Sequence, residues 1–199
     1  MVAMVVAPIV MGTLLVGGTA GWFWTVERTE GTASGPPMRL RVEAGCAEGA
    51  EAVRRRAREL GILEPSSGGG AVSSVELTVR APGMPDDRTH LPAMLAAPGR
   101  LALSRRGSPV EVAIANVGVQ LAFSGTPITL VVAEEPLPPA EELVATMDGT
   151  PMEIEAVNGV ELQLASRAGD SRTALRGASD RAVQLRHPLR CPVRVEVLP

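Results

Sequence analysis

The sequence predicts an α+β protein: an N-terminal transmembrane helix, a base whose elements run β-α-β-β-α-β, and a mostly β insertion before the chain returns to the base. Three observations predict it. The first twenty-four residues carry no charged side chain. Segments of period two and period 3.6 then alternate as far as Arg105, and from Pro109 to Arg167 the helical period gives way to short alternating runs.

Residues 1–26 form the expected anchor. A helix rises about 1.5 Å per residue and the hydrocarbon layer is about 30 Å thick. The run from Met1 to Trp24 is therefore long enough, and Trp22-Phe23-Trp24 places aromatic rings at its interface end. A cleaved secretory signal is the rival reading, but the usual basic n-region is missing and Thr19-Ala20-Gly21 is only a fair cleavage site. Residues 27–37, ending in Gly31 to Pro37, read as a linker.

About 160 residues follow, enough for one well-buried domain. A formal net charge of −3 gives no reason to expect a nucleic-acid partner. The chain has no lysine, which excludes a Walker phosphate loop, a Schiff-base enzyme and a pyridoxal-phosphate site. Two cysteines, Cys46 and Cys191, are too few for structural zinc, and His90 and His187 lack ligand spacing. In an oxidising compartment such a pair invites a disulfide.

The base is expected over residues 38–107. Met38 to Ala44 alternates apolar and charged residues as a half-buried strand. In Ala47 to Leu60, residues Ala50, Val53, Ala57 and Leu60 share one helical face, and Arg54, Arg55, Arg56 and Arg58 read as its solvated outer side. Gly61 stops that helix. Ile62 to Ser67 is expected as a short edge strand, Val72 to Arg80 as a strand, Thr89 to Ala96 as a helix and Leu101 to Arg105 as a strand. The order is that of a ferredoxin-like split βαβ unit.

The insertion, residues 108–170, is expected to form a β-rich head with strands at 110–115, 119–123, 128–132, 143–147, 152–157 and 160–165. Asn158-Gly159 predicts a type I′ hairpin, which needs positive φ at both central residues. Residues 171–199 return to the base. Leu175, Ala178, Ala182 and Leu185 line one face of a helix over 170–186, and Val193, Val195 and Val197 form the last strand.

Several segments, in this order, resemble a known family. They are Val53-Arg54-Arg55-Arg56-Ala57-Arg58-Glu59-Leu60-Gly61-Ile62 with Glu64-Pro65, Val75 to Arg80 with Pro82-Gly83, and Leu95 to Leu103. Leu143 to Gly149 follows, and Ala182 to Val193 completes the set. Together they resemble the SecD subunit of the bacterial preprotein translocase, over its first membrane segment and first periplasmic domain. The resemblance makes Asp148-Gly149 the turn of the family's head subdomain. It implies a single-pass protein of the bacterial inner membrane, N-terminus cytoplasmic and bulk periplasmic, whose partners are the membrane, translocon subunits or an exported preprotein. The later membrane helices on which the family's proton-driven cycle depends are absent from this sequence, so it implies binding without a pump.

If the last strand runs antiparallel beside the first, Cys46 and Cys191 become neighbours. A disulfide there is worth roughly 5 kcal/mol in the chain-entropy model, and it requires that strand order because the Cα atoms must come within about 7 Å.

No set of residues predicts catalysis, a cofactor, a metal or a small-molecule substrate. The leading expectation is an exported protein-binding domain. Its contact strand would carry Val119, Leu121 and Phe123, against the simpler reading that these three build the insertion's core. The alternative is an envelope structural or assembly protein that reuses the fold with no role in export.

Overall fold

A computed structural model of the protein describes residues 36–64, 74–80, 86–122, 125–166 and 170–199. The described residues form a mixed α+β structure with three antiparallel sheets.

The base begins with β1 (Pro37–Ala44), in which Met38, Leu40, Val42 and Ala44 are buried and the residues between them exposed. Strand alternation puts all four on one face. Helix α1 (Ala47–Glu59) covers that face with Ala50, Val53 and Ala57. Strand β2 (Ser74–Arg80) adds Val75, Leu77 and Val79, and α2 (Asp87–Ala96) adds Leu91, Met94 and Leu95. The final strand, β11 (Val193–Val197), pairs with β1, and the sheet order is β11-β1-β2.

Two four-stranded sheets make the head. One is ordered β4-β3-β7-β8, from β3 (Leu101–Arg105), β4 (Ser108–Val110), β7 (Leu143–Met147) and β8 (Thr150–Met152). The other is ordered β5-β6-β10-β9, from β5 (Ile114–Leu121), β6 (Pro127–Ala133), β9 (Ile154–Asn158) and β10 (Glu161–Ala165). Leu103, Ala145 and Met147 of the first sheet share a core with Val117, Val131, Leu162 and Leu164 of the second.

Helix α3 (Ser171–Arg186) bridges the two parts, with Ala182 and Leu185 in the head core and Val183 in the base core. Asp170 caps its start, accepting from the main-chain N–H groups of Arg172 and Thr173 at 2.9 Å each.

Four expectations are corrected. First, no helix among the described residues is long and apolar enough to cross a membrane. The longest, α3, has 16 residues and carries Arg172, Arg176, Asp180, Arg181 and Arg186. Residues 1–26, where the transmembrane helix was expected, lie outside the described residues. The membrane partner and the single-pass inner-membrane placement, with cytoplasmic N-terminus and periplasmic bulk, rested on that helix and go with it.

Second, the ferredoxin-like βαββαβ base over 38–107 is replaced by a three-stranded base sheet. Leu101–Arg105 pairs with β7 and β4 in the head, while β1 lies between β2 and the returning strand β11, the order on which the Cys46–Cys191 pairing depends. Third, the edge strand expected at 62–67 is described only over 62–64, where the bridge Leu63 to Val79 pairs it with β2, and its remainder lies outside the described residues. Fourth, Asn158 stays in β9 opposite Glu161 and the left-handed residue is Gly159, at φ 63°. The loop is therefore Gly159-Val160 with glycine first, the pattern of a type II′ turn.

Candidate functional site

The base joins the head at two crossings, Ala97 to Arg100 going out and His187 to Leu189 coming back. Leu189 donates its main-chain N–H to the Pro98 carbonyl at 2.8 Å, so the crossings touch. Beneath them lies Arg56, with no exposed surface. Its Nε and Nη2 donate to the His187 carbonyl at 3.0 and 2.7 Å. Its Nη1 donates to the carbonyls of Ala97 at 2.6 Å, Leu95 at 3.0 Å and Met94 at 3.4 Å. Nη2 also reaches those of Pro98 at 3.3 Å and Gln184 at 3.4 Å.

These carbonyls lie at the C-terminal ends of α2 and α3, where a cation is favoured. Burial lowers the Arg56 pKa to about 10, partly offset by the Asp148 carboxylate. The group is charged at neutral pH. Reading it as part of a solvated arginine face was therefore wrong for this one position. The signal was present: Arg56 stands three residues after Val53 and four before Leu60, in the apolar stripe itself.

The Asp148-Gly149 turn is tied to the outgoing crossing. Asp148 and Gly149 have φ of 52° and 80° and close the β7–β8 hairpin. The Asp148 carboxylate accepts from the main-chain N–H of Gly99 at 2.9 Å and of Arg100 at 2.8 Å. This is a positioning role for the turn within the fold.

At the other crossing, the last residue of α3 reaches the head. Arg186 Nε donates to the Val117 carbonyl at 2.7 Å, and its Nη1 is paired with Glu59 of α1. Glu59 also holds His187 Nε2, at 2.6 Å. One acidic side chain from the base thus fixes an arginine against strand β5. Sequence reading missed Arg186 and Glu59 because nothing local marks a contact spanning 127 residues.

Strand β5 ends its sheet, and among the described residues no strand pairs with its outer side. It reads IANVGVQL, without charge or proline. The other sheet edges are protected as edges usually are. Strands β4 and β8 contain Pro109 and Pro151, while β2, β9 and β11 carry charged residues such as Glu76, Glu155 and Arg194.

Of the three residues expected on the contact strand, Val119 packs partly against the head core and Leu121 is 46% exposed. Phe123 lies outside the described residues. Val117, which was not singled out, is the strand's buried residue, at 3% exposure.

Cys46 and Cys191 are joined by a disulfide, with Cα atoms 6.1 Å apart. It ties the start of α1 to the approach to β11. Gly49 is shaped by it, because a Cβ there would lie 2.7 Å from Cys191 Sγ.

His90, which lacked ligand spacing in the sequence, faces Asp180 with Nε2 2.7 Å from Oδ2. Arg176 pairs with Asp86 at 2.8 Å and with Asp87 at 3.4 Å nearby. The hydrogen bond from Arg176 holds the Asp86 carboxyl below its usual range. No group of three or more His, Cys, Asp or Glu side chains among the described residues is arranged to hold a metal ion.

Fold and site thus define a mixed α+β domain whose two-sheet head presents an uncharged edge strand, held at one carbonyl by an arginine from the connecting helix. Among solved structures, the chain is similar to the crystal structure of SecDF in its super-membrane-facing form. The TM-score is 0.54 at 12% identity, covering 80% of this chain and 29% of that one. It is also similar to a structure of SecDF described as a membrane component that enhances protein export. There the TM-score is 0.49 at 15% identity, over 81% of this chain and 99% of that one. Neither a protein-family model nor a curated protein matches the chain. The SecD resemblance read from the sequence is accordingly corrected to a distant likeness of fold to SecDF, without the first membrane segment it included. The chain spans 29% of the SecDF chain matched at the higher TM-score.

Proposed function

We propose that the protein is an accessory of protein export that binds an extended polypeptide segment by strand addition at β5 and catalyses no reaction. The observation that carries this reading is the edge itself. A strand of eight residues with no charge, no proline and an exposed Leu121 is one that a second chain can join. Main-chain hydrogen bonds would supply affinity, and Val119 and Leu121 would meet alternate side chains of the partner. The export side of the reading is supported by the fold likeness to SecDF and by the SecD-like segments in sequence order. The base around β1, β2 and β11, the head from β3 to β10 and the connecting helix α3 would serve as support, binding unit and tie.

Titration of the isotope-labelled protein with an unfolded polypeptide tests this by amide exchange. Protection gathered at Val119 and Leu121, lost in V119P while the rest of the spectrum holds, is the expected result. Protection elsewhere, or none at saturating polypeptide, would remove strand addition as the mode of binding.

A further inference from the structure

We propose that Arg186 is a positioning residue that sets the register of the added strand, by sealing β5 at Val117 and leaving Val119 and Leu121 as the pairing positions. The inference rests on the strand-addition reading above and goes beyond it to the rule by which an extended segment is placed.

In an antiparallel edge strand the N–H and C=O groups of alternate residues face away from the neighbouring strand. At Val117 both are held by side chains. The N–H donates to Asn116 Oδ1 at 2.8 Å, and the carbonyl accepts from Arg186 Nε at 2.7 Å. The second is a charge-assisted bond, roughly twice as strong as a neutral one. An incoming N–H that sought the Val117 carbonyl would have to displace it.

Arg186 is not free to swing away. Its guanidinium is paired with Glu59, and Glu59 is held in turn by His187 Nε2 at 2.6 Å. Before Val117 the edge is also unsuited to pairing, because a bulge between Ile114 and Asn116 breaks the register with β6. By alternation the next outward-facing main-chain groups beyond Val117 belong to Val119 and Leu121. The partner is therefore a short extended segment that pairs along 118–121, with apolar side chains at alternate positions beside Leu121.

The test uses the whole chain and a synthetic nine-residue peptide of alternating valine and threonine with a nitroxide at one end. Amide broadening along β5 reads the register. For the unaltered protein, the account expects protection at Val119 and Leu121 with Val117 unaffected. In R186A, which frees the Val117 carbonyl while Asn116 still holds the N–H, the nitroxide contacts should extend from Val119 back to Val117 and affinity should rise several-fold. R186K, which restores a cationic donor, should return the register. E59Q, which keeps Arg186 and weakens its anchor, should shift it in the same direction by less, and it stands in should R186A fail to fold. Binding by folded R186A and E59Q in the original register would overturn the role of Arg186 and leave strand addition standing. Absence of binding at β5 in the unaltered protein would overturn both.

Discussion

Arg56 holds the carbonyl oxygen of His187 with two donors, Nε at 3.0 Å and Nη2 at 2.7 Å. That bond closes the return of the chain from head to base. The same guanidinium reaches the outgoing crossing through Ala97 and Pro98. One buried cation therefore serves carbonyls at the ends of two helices, adding to the Leu189 N–H that Pro98 accepts and the Gln184 amide that Met94 accepts.

Replacing Arg56 should be among the most damaging substitutions in the chain. In R56M the six carbonyls it serves lose a partner together, and a loss of about 3 kcal/mol or more is expected. R56K keeps the charge but not the planar fork, so it should fall between R56M and the unaltered protein. Urea unfolding, with the slope checked for a change in the two-state transition, measures both.

Gly99 and Gly149 provide a matched pair. Both have positive φ, 72° and 80°. A Cβ at Gly149 meets open space, whereas one at Gly99 would lie 2.4 Å from the Gln184 carbonyl and 2.9 Å from Arg56 Nη2. G149A should cost about 1 kcal/mol, the ordinary penalty for a left-handed backbone. G99A should cost several times as much, because backbone must also move. Thermal unfolding of the two variants side by side tests the difference.

The disulfide closes a loop of 145 residues. Its removal in a C46S/C191S double variant should cost about 2–5 kcal/mol. For a chain of this size that amounts to roughly 5–15 °C in Tm. A melting curve taken with and without reductant should show the shift in the unaltered protein and none in the variant.

Asp170 makes part of the stability acid-sensitive. Hydrogen bonds from the side chain and main chain of Thr173 hold its carboxyl below the usual range. A carboxyl depressed in the folded state contributes stability that is fully present above its unfolded pKa, about 4. That contribution is lost as the pH falls through the lower folded value. D170N should flatten the fall of Tm over this window and lower Tm above it.

Much of the fold was legible because local periodicity follows burial. The alternation of Met38 to Ala44 and the stripe of Ala50, Val53 and Ala57 turned up where the pattern put them. Pairing was harder. Nothing within Leu101–Arg105 says that it joins Leu143–Met147 rather than the base, since alternation marks a half-buried strand without naming its neighbour. The polar contacts that organise the crossings were not legible either. Arg56, Arg186 and Glu59 look like surface charges until the tertiary fold brings carbonyls and strand β5 to them. Asn158-Gly159 misled for a different reason: both II′ and I′ turns take glycine, and the register of β9 against β10 decides which residue it follows.

The most direct test of the binding account is site-specific photocrosslinking in cells that produce the full chain, with a probe at Leu121 and a control on the exposed face of α1 at Arg55. The account predicts adducts from Leu121 with an exported polypeptide or a translocon subunit, and none of these from Arg55. Adducts from Leu121 only with proteins unconnected to export, or the same adducts from both positions, would contradict it.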